Sequence, residues 1–193
     1  MAATVGIDRA RVLDTAIELI DAEGYDTLSM TKLAASLGIR VPSLYAHVTN
    51  LDHLQRELQV QFNLQVADLL RDATAGLTPE RALEAAAFAL YRFGREHPGL
   101  MVAGIRPVAG SDRELKRLMR QAQAPVSAAL AAFGVYGDDL TNWNRTIWSS
   151  IYGYVLLINA GSMVSAVPHE GAVRLMVGTW LTLLADGQAE AGA

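Results

Sequence analysis

The side chains best suited to binding chemistry lie between Asp26 and Asp52, a stretch without any acidic residue. It holds Lys32, Arg40 and His47, so positive charge is concentrated there. Lysine and arginine neutralise phosphate, and imidazole or hydroxyl groups donate hydrogen bonds to it, whereas carboxylates repel it. The pattern therefore favours contact with a phosphate backbone.

The sequence lacks the residues and motifs that catalysis and metal binding usually require. The absence of cysteine excludes disulfides, thiolate nucleophiles and cysteine-ligated zinc. The four histidines, at positions 47, 53, 97 and 169, show neither metal-binding spacing nor a catalytic pairing. No nucleophile elbow, P-loop or dinucleotide-binding motif occurs. We therefore expect no enzymatic activity, no metal and no cofactor.

Because the chain as a whole is negatively charged, any contact with nucleic acid must depend on a local concentration of positive charge. The chain has 16 Lys and Arg against 20 Asp and Glu, for a net charge of −4, so no whole-molecule attraction to polyanions is expected. Its 193 residues suit one large domain or two small ones, and 51% hydrophobic residues exclude general disorder. Residues 1–11 lack the apolar core of an export signal, which predicts a cytoplasmic protein.

The elements that must position these residues are helices. Apolar residues recur three and four positions apart nearly throughout, which predicts an all-α fold of about nine helices. Asp8 and Gly24 bracket helix one, and Ser29 and Gly38 bracket helix two. Helix three spans about 40–47, with Pro42 in its first turn. Helix four opens after 49–50 and runs to about 72, and further helices are predicted at 79–96, 98–105, 111–133, 138–164 and 169–186.

Helices two and three, joined by a tight turn at 38–40 and braced by helix one, form a helix-turn-helix pattern. In such a unit the second short helix lies in the DNA major groove. We therefore expect a DNA-binding domain over residues 1–50 and a second helical domain over residues 51–193.

The helix-turn-helix pattern is built from four segments with a specific order of residues: 16–20, 24–25, 28–39 and 42–50. Together, within residues 9–56, they closely resemble the DNA-binding domain of the TetR family of one-component repressors. The resemblance implies that Tyr45 and His47 contact phosphate, while Arg40 to Ser43 touch base edges. Arg40 could pair with guanine through two hydrogen bonds. The full predicted DNA-binding set is Thr31, Lys32, Arg40, Val41, Pro42, Ser43, Tyr45, His47 and Thr49.

Two positions depart from the family pattern. Leu51 stands where a phosphate-contacting lysine is usual, and Ala46 stands where tetracycline repressors carry an aromatic residue. One backbone contact is therefore missing, so the operator affinity or its salt dependence is expected to be reduced.

Residues 146–168 carry no charge. Their length suits a transmembrane helix, but several serines lower the hydropathy, and we prefer a helix buried on most faces. Here the chain resembles the TetR-associated C-terminal domain named for a Trp-His-Gly signature, through 145–148, 152–153 and 160–161, with Tyr152 in place of His. The resemblance implies that residues 51–193 form a ligand-binding and dimerisation domain. In the implied homodimer, helices 138–164 and 169–186 of the two chains form a four-helix bundle beside a ligand cavity.

Apolar and aromatic residues with few charges nearby are typical of small-molecule pockets, although at helical spacing they are also typical of a core. The expected function is a homodimeric repressor that binds a pseudo-palindromic operator in double-stranded DNA and is released by a small apolar or aromatic effector. The alternatives are a regulator or architectural protein without an effector, and an enzyme. The candidate pocket residues are Phe62, Phe88, Tyr91, Met101, Trp143, Arg145, Trp148 and Tyr152.

Overall fold

The computed structural model describes residues 7–191, with side chains through residue 187; residues 1–6 and 192–193, at the outer ends of the two predicted domains, lie outside it. The described chain contains nine α-helices, one 3₁₀ turn at Tyr25–Thr27 and no strand. The predicted all-α class is confirmed. The helices are α1 (Arg9–Glu23), α2 (Met30–Ser36), α3 (Val41–Leu44), α4 (Leu51–Thr74), α5 (Pro79–Glu96), α6 (Pro98–Gly104), α7 (Arg113–Ala132), α8 (Gly137–Asn159) and α9 (Glu170–Ala191).

The predicted helix boundaries at the N-terminal end follow from capping. The Asp8 carboxylate accepts a hydrogen bond from the Arg11 amide at 2.8 Å, which starts α1. The Ser29 hydroxyl accepts one from the Lys32 amide at 3.2 Å, which starts α2. Gly24 ends α1 with φ = 92°, a conformation that glycine adopts without steric strain.

The predicted helix over 138–164 is wrong at its C-terminal end, because α8 stops at Asn159. Gly161 lies in the left-handed region, with φ = 70°. Its amide donates to the Ile158 carbonyl, and the Ser162 amide donates to the Leu157 carbonyl, both at 2.9 Å. These two bonds form a Schellman motif, which terminates a helix. Residues 160–168 are therefore an exposed loop, and the expectation of a helix buried on most faces holds for residues 146–159 at most.

The chain divides into two compact units. The first comprises the residues up to Phe62 together with His97–Ala109, and the second comprises Asn63–Glu96 and Gly110 onward. Helix α4 therefore contributes residues to both units. These are packing units, and the predicted functional boundary near residue 50 stays a prediction.

In the first unit, α1 packs against α2, the 3₁₀ turn and α6, and α2 packs against α3. In the second, α5 is central and packs against α7, α8 and α9, while α7 also packs against α8. The buried face of α5 is rich in alanine, which allows its neighbours to approach closely. Within the described residues, no helix is long and apolar enough to cross a membrane.

Candidate nucleic-acid interface

The turn between α2 and α3 has the geometry that the helix-turn-helix pattern predicts. The Gly38 amide donates to the Ala35 carbonyl and the Ile39 amide to the Ala34 carbonyl, both at 3.0 Å, while Gly38 has φ = 68°. This Schellman motif reverses the chain at once after α2. Arg40 is extended, with φ = −81° and ψ = 146°, and caps the N-terminus of α3. The side chains that hold the motif together are buried: Leu33, Ala34, Leu44 and Val48.

Helix α3 is shorter than the predicted span of 40–47. It covers Val41–Leu44, with a proline in its first turn, as expected. Beyond Leu44, the Ala46 amide bonds to the Ser43 carbonyl at 3.3 Å and the His47 amide to the Leu44 carbonyl at 2.9 Å. Bonds to the residue three positions earlier wind the chain more tightly than an α-helix. Tyr45 and His47 therefore lie on the turn after α3.

None of the predicted DNA-contacting side chains is buried. Tyr45 is 51% exposed, which is unusual for a large aromatic side chain and removes a core-packing role for it. The polar side chains keep their donors accessible to a ligand. Thr31, Arg40, Pro42, Ser43, Tyr45 and Thr49 are exposed, and Lys32, Val41 and His47 are half-buried.

Lys32 has an acidic partner from outside the stretch between Asp26 and Asp52, which itself contains no acidic residue. Its ammonium group lies 2.6 Å from the Glu23 carboxylate, at the end of α1, and both side chains are nearly half exposed. An ion pair this accessible to water contributes little stability, so a phosphate can replace the carboxylate at small cost.

The entry into α4 is fixed by a histidine that the sequence analysis did not single out. The His53 Nδ1 atom accepts a hydrogen bond from the Thr49 amide at 3.2 Å, and the Asn50 side chain accepts one from the His53 amide at 2.8 Å. Because Nδ1 is the acceptor, the ring proton is on Nε2, which lies 3.5 Å from the Glu57 carboxylate. This network orders the chain directly after His47.

Glu57 also connects α4 to the start of α1. Its carboxylate is 2.5 Å from the Arg9 guanidinium and 3.3 Å from that of Arg56, and its side chain is only 9% exposed. A buried carboxylate needs such partners, because an unpaired one is strongly destabilised. Glu57 thus fixes α4 against the start of α1, the first helix of the reading head formed by α1 to α3, and nothing local in the sequence identifies it.

The C-terminal end of α1 is tied to α6 by Asp21. Its carboxylate accepts hydrogen bonds from the Gly99 and Leu100 amides, at 2.8 and 2.9 Å, and from the His97 ring at 2.8 Å. The two amides are orphan donors in the first turn of α6, so Asp21 caps that helix from another element. Gly99 permits the approach, because a Cβ there would lie 2.1 Å from the Ile20 carbonyl oxygen.

Arg106 secures the other end of α6. Its guanidinium is 2.5 Å from the Asp26 carboxylate and stacks 4.7 Å from the centre of the Tyr25 ring. Its carbonyl accepts a hydrogen bond from the Gln59 side chain at 3.0 Å. Burial raises the pKa of the Tyr25 hydroxyl despite the opposing effect of Arg106. Helix α6 is therefore held at both ends by residues of the unit that contains α2 and α3.

The predicted effector-pocket residues belong partly to the first compact unit and partly to the second. Phe62 and Met101 are buried in the first compact unit. In the second unit, the Trp148 and Tyr152 rings meet edge to face at 5.3 Å, and the Phe88 ring lies 5.6 Å below the Arg174 guanidinium. The remaining candidates differ in burial: Tyr91 is buried, Trp143 is half-buried and Arg145 is exposed.

Two open surface clefts of the second unit, of about 350 and 340 Å³, involve none of these residues. One lies between Tyr154, His169 and the 160–168 loop, and the other lies between the C-terminal ends of α4 and α5. The pocket prediction is therefore neither supported nor contradicted by a described cleft. Among the described side chains, no group of three or more His, Asp or Glu could hold a metal ion.

Two family models match the chain. Residues 12–57 match the model described as "Bacterial regulatory proteins, tetR family", and residues 83–180 match "Tetracyclin repressor-like, C-terminal domain". These matches cover the helix-turn-helix and most of α5 to α9. The predicted resemblance of both regions to the TetR family is confirmed.

Relatives and solved structures agree with the family models. The chain is 32% identical over 177 residues to Rv0681 of Mycobacterium tuberculosis, an uncharacterized HTH-type transcriptional regulator, covering 89% of this chain and 81% of that one. It is 27% identical over 160 residues to YobS of Bacillus subtilis, described in the same terms, covering 82% of each. The fold matches the crystal structure of the putative regulatory protein SCO4313 with a TM-score of 0.72 at 23% identity, over 90% of this chain and 95% of that one. The chain therefore belongs to the TetR family: it is a DNA-binding transcriptional regulator and not an enzyme.

Proposed function

We propose that the protein is a homodimeric repressor of the cytoplasm that binds a pseudo-palindromic operator and is released from it by a small apolar or aromatic effector. The observation that carries the proposal is the outward face of α9. Each chain has one reading head, and an operator with two symmetric half-sites requires two.

Helix α9 is apolar on both sides. Val173, Val177 and Trp180 are buried in the second unit, yet Leu175 is 72% exposed and Leu183 is 54% exposed. No charged residue occurs from position 175 to position 185. Water-exposed helix faces normally carry charge, so a face of this kind is typical of a protein–protein interface.

Helix α8 offers a matching surface. Leu157 is 44% exposed, and a Cβ built on Gly153 would meet no atom within 4 Å. Small and apolar residues allow two copies of a helix to approach closely. A second copy that covers α8 and α9 would form an isologous interface with two-fold symmetry, in which each chain offers the same surface.

Two-fold symmetry then places the heads on DNA. The two copies of α3 enter successive major grooves about 34–36 Å apart. Arg40 and Ser43 read base edges, and Val41 and Pro42 offer apolar contact to a thymine methyl group. The phosphate contacts come from Thr31, Lys32, Tyr45, His47 and Thr49.

Release requires an effector that prefers the form with low affinity for DNA. Its differential affinity for the two forms must reach about 1–3 kcal/mol. The effector binds in the 51–193 domain among the aromatic residues of α5 and α8. Helix α4 carries the change to the head, because it begins directly after the reading residues and continues into the second compact unit.

The dimer is tested by sedimentation at micromolar concentration. We expect a dimer for the unmodified chain and a monomer for the Leu175→Glu, Leu183→Glu double variant, since burying two carboxylates in the interface is strongly unfavourable. Leu77→Glu, at a 44% exposed leucine outside α8 and α9, is the matched control and stays dimeric. A monomeric unmodified chain contradicts the proposal.

The reading roles are tested by selecting sites from a randomised DNA pool. Arg40→Ala should relax base preference at one half-site position by about 1–3 kcal/mol, whereas Tyr45→Phe with His47→Ala should weaken binding to all sequences similarly. An unchanged preferred sequence in Arg40→Ala refutes base reading by this residue.

Regulation by an effector is tested by screening metabolites for release of the selected DNA. Compounds that release DNA and stabilise the fold support the proposal. If saturating metabolites do neither, the protein is a regulator or architectural protein without an effector.

A further inference from the structure

The indole N–H of Trp148 is a buried donor without an acceptor. The side chain is 8% exposed, and its Nε1 atom has no hydrogen-bond partner among the described residues. An indole nitrogen donates and does not accept, so only an acceptor can satisfy it. Because buried polar groups in native proteins are nearly always hydrogen-bonded, an orphan of this kind indicates an additional binding partner.

The polar groups on the turns of α8 before and after Trp148 have partners, so the unsatisfied Trp148 donor is an exception on this helix. One turn earlier, the buried Asn144 amide donates to the Leu140 carbonyl at 2.9 Å and to the Ser127 hydroxyl at 3.1 Å. One turn later, the edge of Tyr152 meets the Trp148 ring. Polar groups thus follow one another every four residues, and the middle one lacks its partner.

The same helix carries buried apolar residues beside this line of polar groups. Ile147, Ile151 and Val155 are buried on α8. Burial raises the pKa of the Tyr152 hydroxyl far above its ordinary value, so this group is neutral at physiological pH. The only acidic residues of α8 are Asp138 and Asp139 in its first turn, and none follows until Glu170, so the stretch of α8 around Trp148 offers no carboxylate to balance a cation. A few placed polar groups in apolar walls are typical of small-molecule sites.

We propose that Trp148 Nε1 donates a hydrogen bond to an acceptor oxygen of the effector, which is therefore an apolar compound that carries a carbonyl-type oxygen and no positive charge. This inference rests on the proposed effector function and specifies its chemistry. A pure hydrocarbon of the same shape binds more weakly, because it leaves the donor unsatisfied.

The test uses the indole nitrogens of the full chain as reporters. The sequence has three tryptophans, at 143, 148 and 180, so ¹⁵N-indole labelling gives three N–H signals. They are assigned with Trp143→Phe, Trp148→Phe and Trp180→Phe. The probes are 2-acetylnaphthalene, methyl 2-naphthoate and, as the isostere without an acceptor, 2-ethylnaphthalene, each titrated to millimolar concentration.

We expect the ketone and the ester to shift the Trp148 proton signal downfield and the ethyl compound to leave it without such a shift. Wild-type protein should bind 2-acetylnaphthalene about tenfold more tightly than 2-ethylnaphthalene. Trp148→Phe, which keeps an aromatic ring and removes the donor, should bind the two within about twofold, while Trp180→Phe keeps the preference.

The other outcomes decide separately whether the Trp148 site exists and whether the protein responds to an effector. If neither acceptor compound moves the Trp148 signal, or if the ketone preference survives in Trp148→Phe, the inference is overturned. If compounds that release DNA leave Trp148 unaffected, effector regulation stands and this site falls. If the Trp148 signal shifts while neither these probes nor the screened metabolites release DNA, the site stands and the proposed effector function falls. Because the wild-type titration needs no variant, a folding defect in Trp148→Phe does not remove the test.

Discussion

In the first compact unit, charged side chains connect helices that are distant in sequence. Asp21 caps α6, Glu57 binds Arg9 at the start of α1, and Arg106 binds Asp26 beside the 3₁₀ turn. In the second unit, α5 packs against α7, α8 and α9 largely through apolar side chains, with a polar link to α8 at Asn159, which accepts from Arg95 and donates to the Gly94 carbonyl. Directional contacts to several partners fix one arrangement, whereas apolar contacts tolerate repacking. The difference indicates a rigid reading head and a more adaptable second unit, which suits the binding of the proposed effector and of the proposed second copy.

The strongest test of that difference is Gly99→Ala. The added Cβ would lie 2.1 Å from the Ile20 carbonyl oxygen and 2.7 Å from the Asp21 nitrogen. Backbone atoms cannot turn away as a flexible side chain can, so α6 must move from α1. We expect a loss of about 3 kcal/mol in the free energy of unfolding, measured by urea denaturation.

Gly171→Ala is the matched control, because a Cβ at that position of α9 meets no atom within 4 Å. Its free energy of unfolding should change by less than about 1 kcal/mol. Equal effects of the two alanines would show that the first unit is no more tightly constrained than the second.

A smaller effect is expected from Asp21→Asn, which removes the charge and keeps the shape. The amide can still accept from Gly99 or Leu100, but its NH₂ group faces the His97 ring nitrogen. Hydrogen bonds to charged groups contribute about 1.5–3 kcal/mol, and part of this is retained, so a loss of about 1.5 kcal/mol is expected. Thermal or urea unfolding measures it.

Asp8→Asn is the comparison for that variant, since Asp8 caps α1 through a single exposed hydrogen bond. Asparagine is an equally good N-cap, so little change in stability is expected. If both variants lose the same stability, the shared network around Asp21 contributes nothing beyond an ordinary cap.

The same two regions differ in what the sequence could predict. The N-terminal helices were predicted closely because their signals are local: Ser29 caps the amide three residues later, and Gly38 adopts the positive φ that ends α2. The contact between Asp21 and His97 spans 76 positions, and no periodicity or spacing connects residues so far apart. The sequence therefore predicts the exposed residues that we propose to contact DNA, and it misses the long-range contacts that hold their helices in place.

The roles of residues in the second unit were harder to predict, because the same apolar side chain can line a pocket, fill a core or form an interface. Phe62 and Met101 are grouped with Trp148 as pocket candidates by their apolar character alone, and the structure assigns them to the first compact unit. The end of α8 did have a local signal, since Ala160-Gly161 allows a Schellman motif, but the charge-free run favoured a longer helix. Composition identifies apolar surface without deciding whether a core, a ligand or a second copy covers it.

The smallest expected effect concerns Leu51, which is half-buried at the start of α4 where the family usually has a phosphate-binding lysine. Leu51→Lys should raise operator affinity roughly fivefold and steepen the slope of log K against log salt by about 0.9 for each head, because one more phosphate is neutralised. Leu51→Gln has a similar length without the charge and should show neither effect. Leu77→Lys adds the same net charge to the second unit, so an equal gain there would mean that net charge, rather than the position of a fixed head, sets the affinity. A gain confined to Leu51→Lys instead shows that the rigid unit places this side chain against the phosphate backbone.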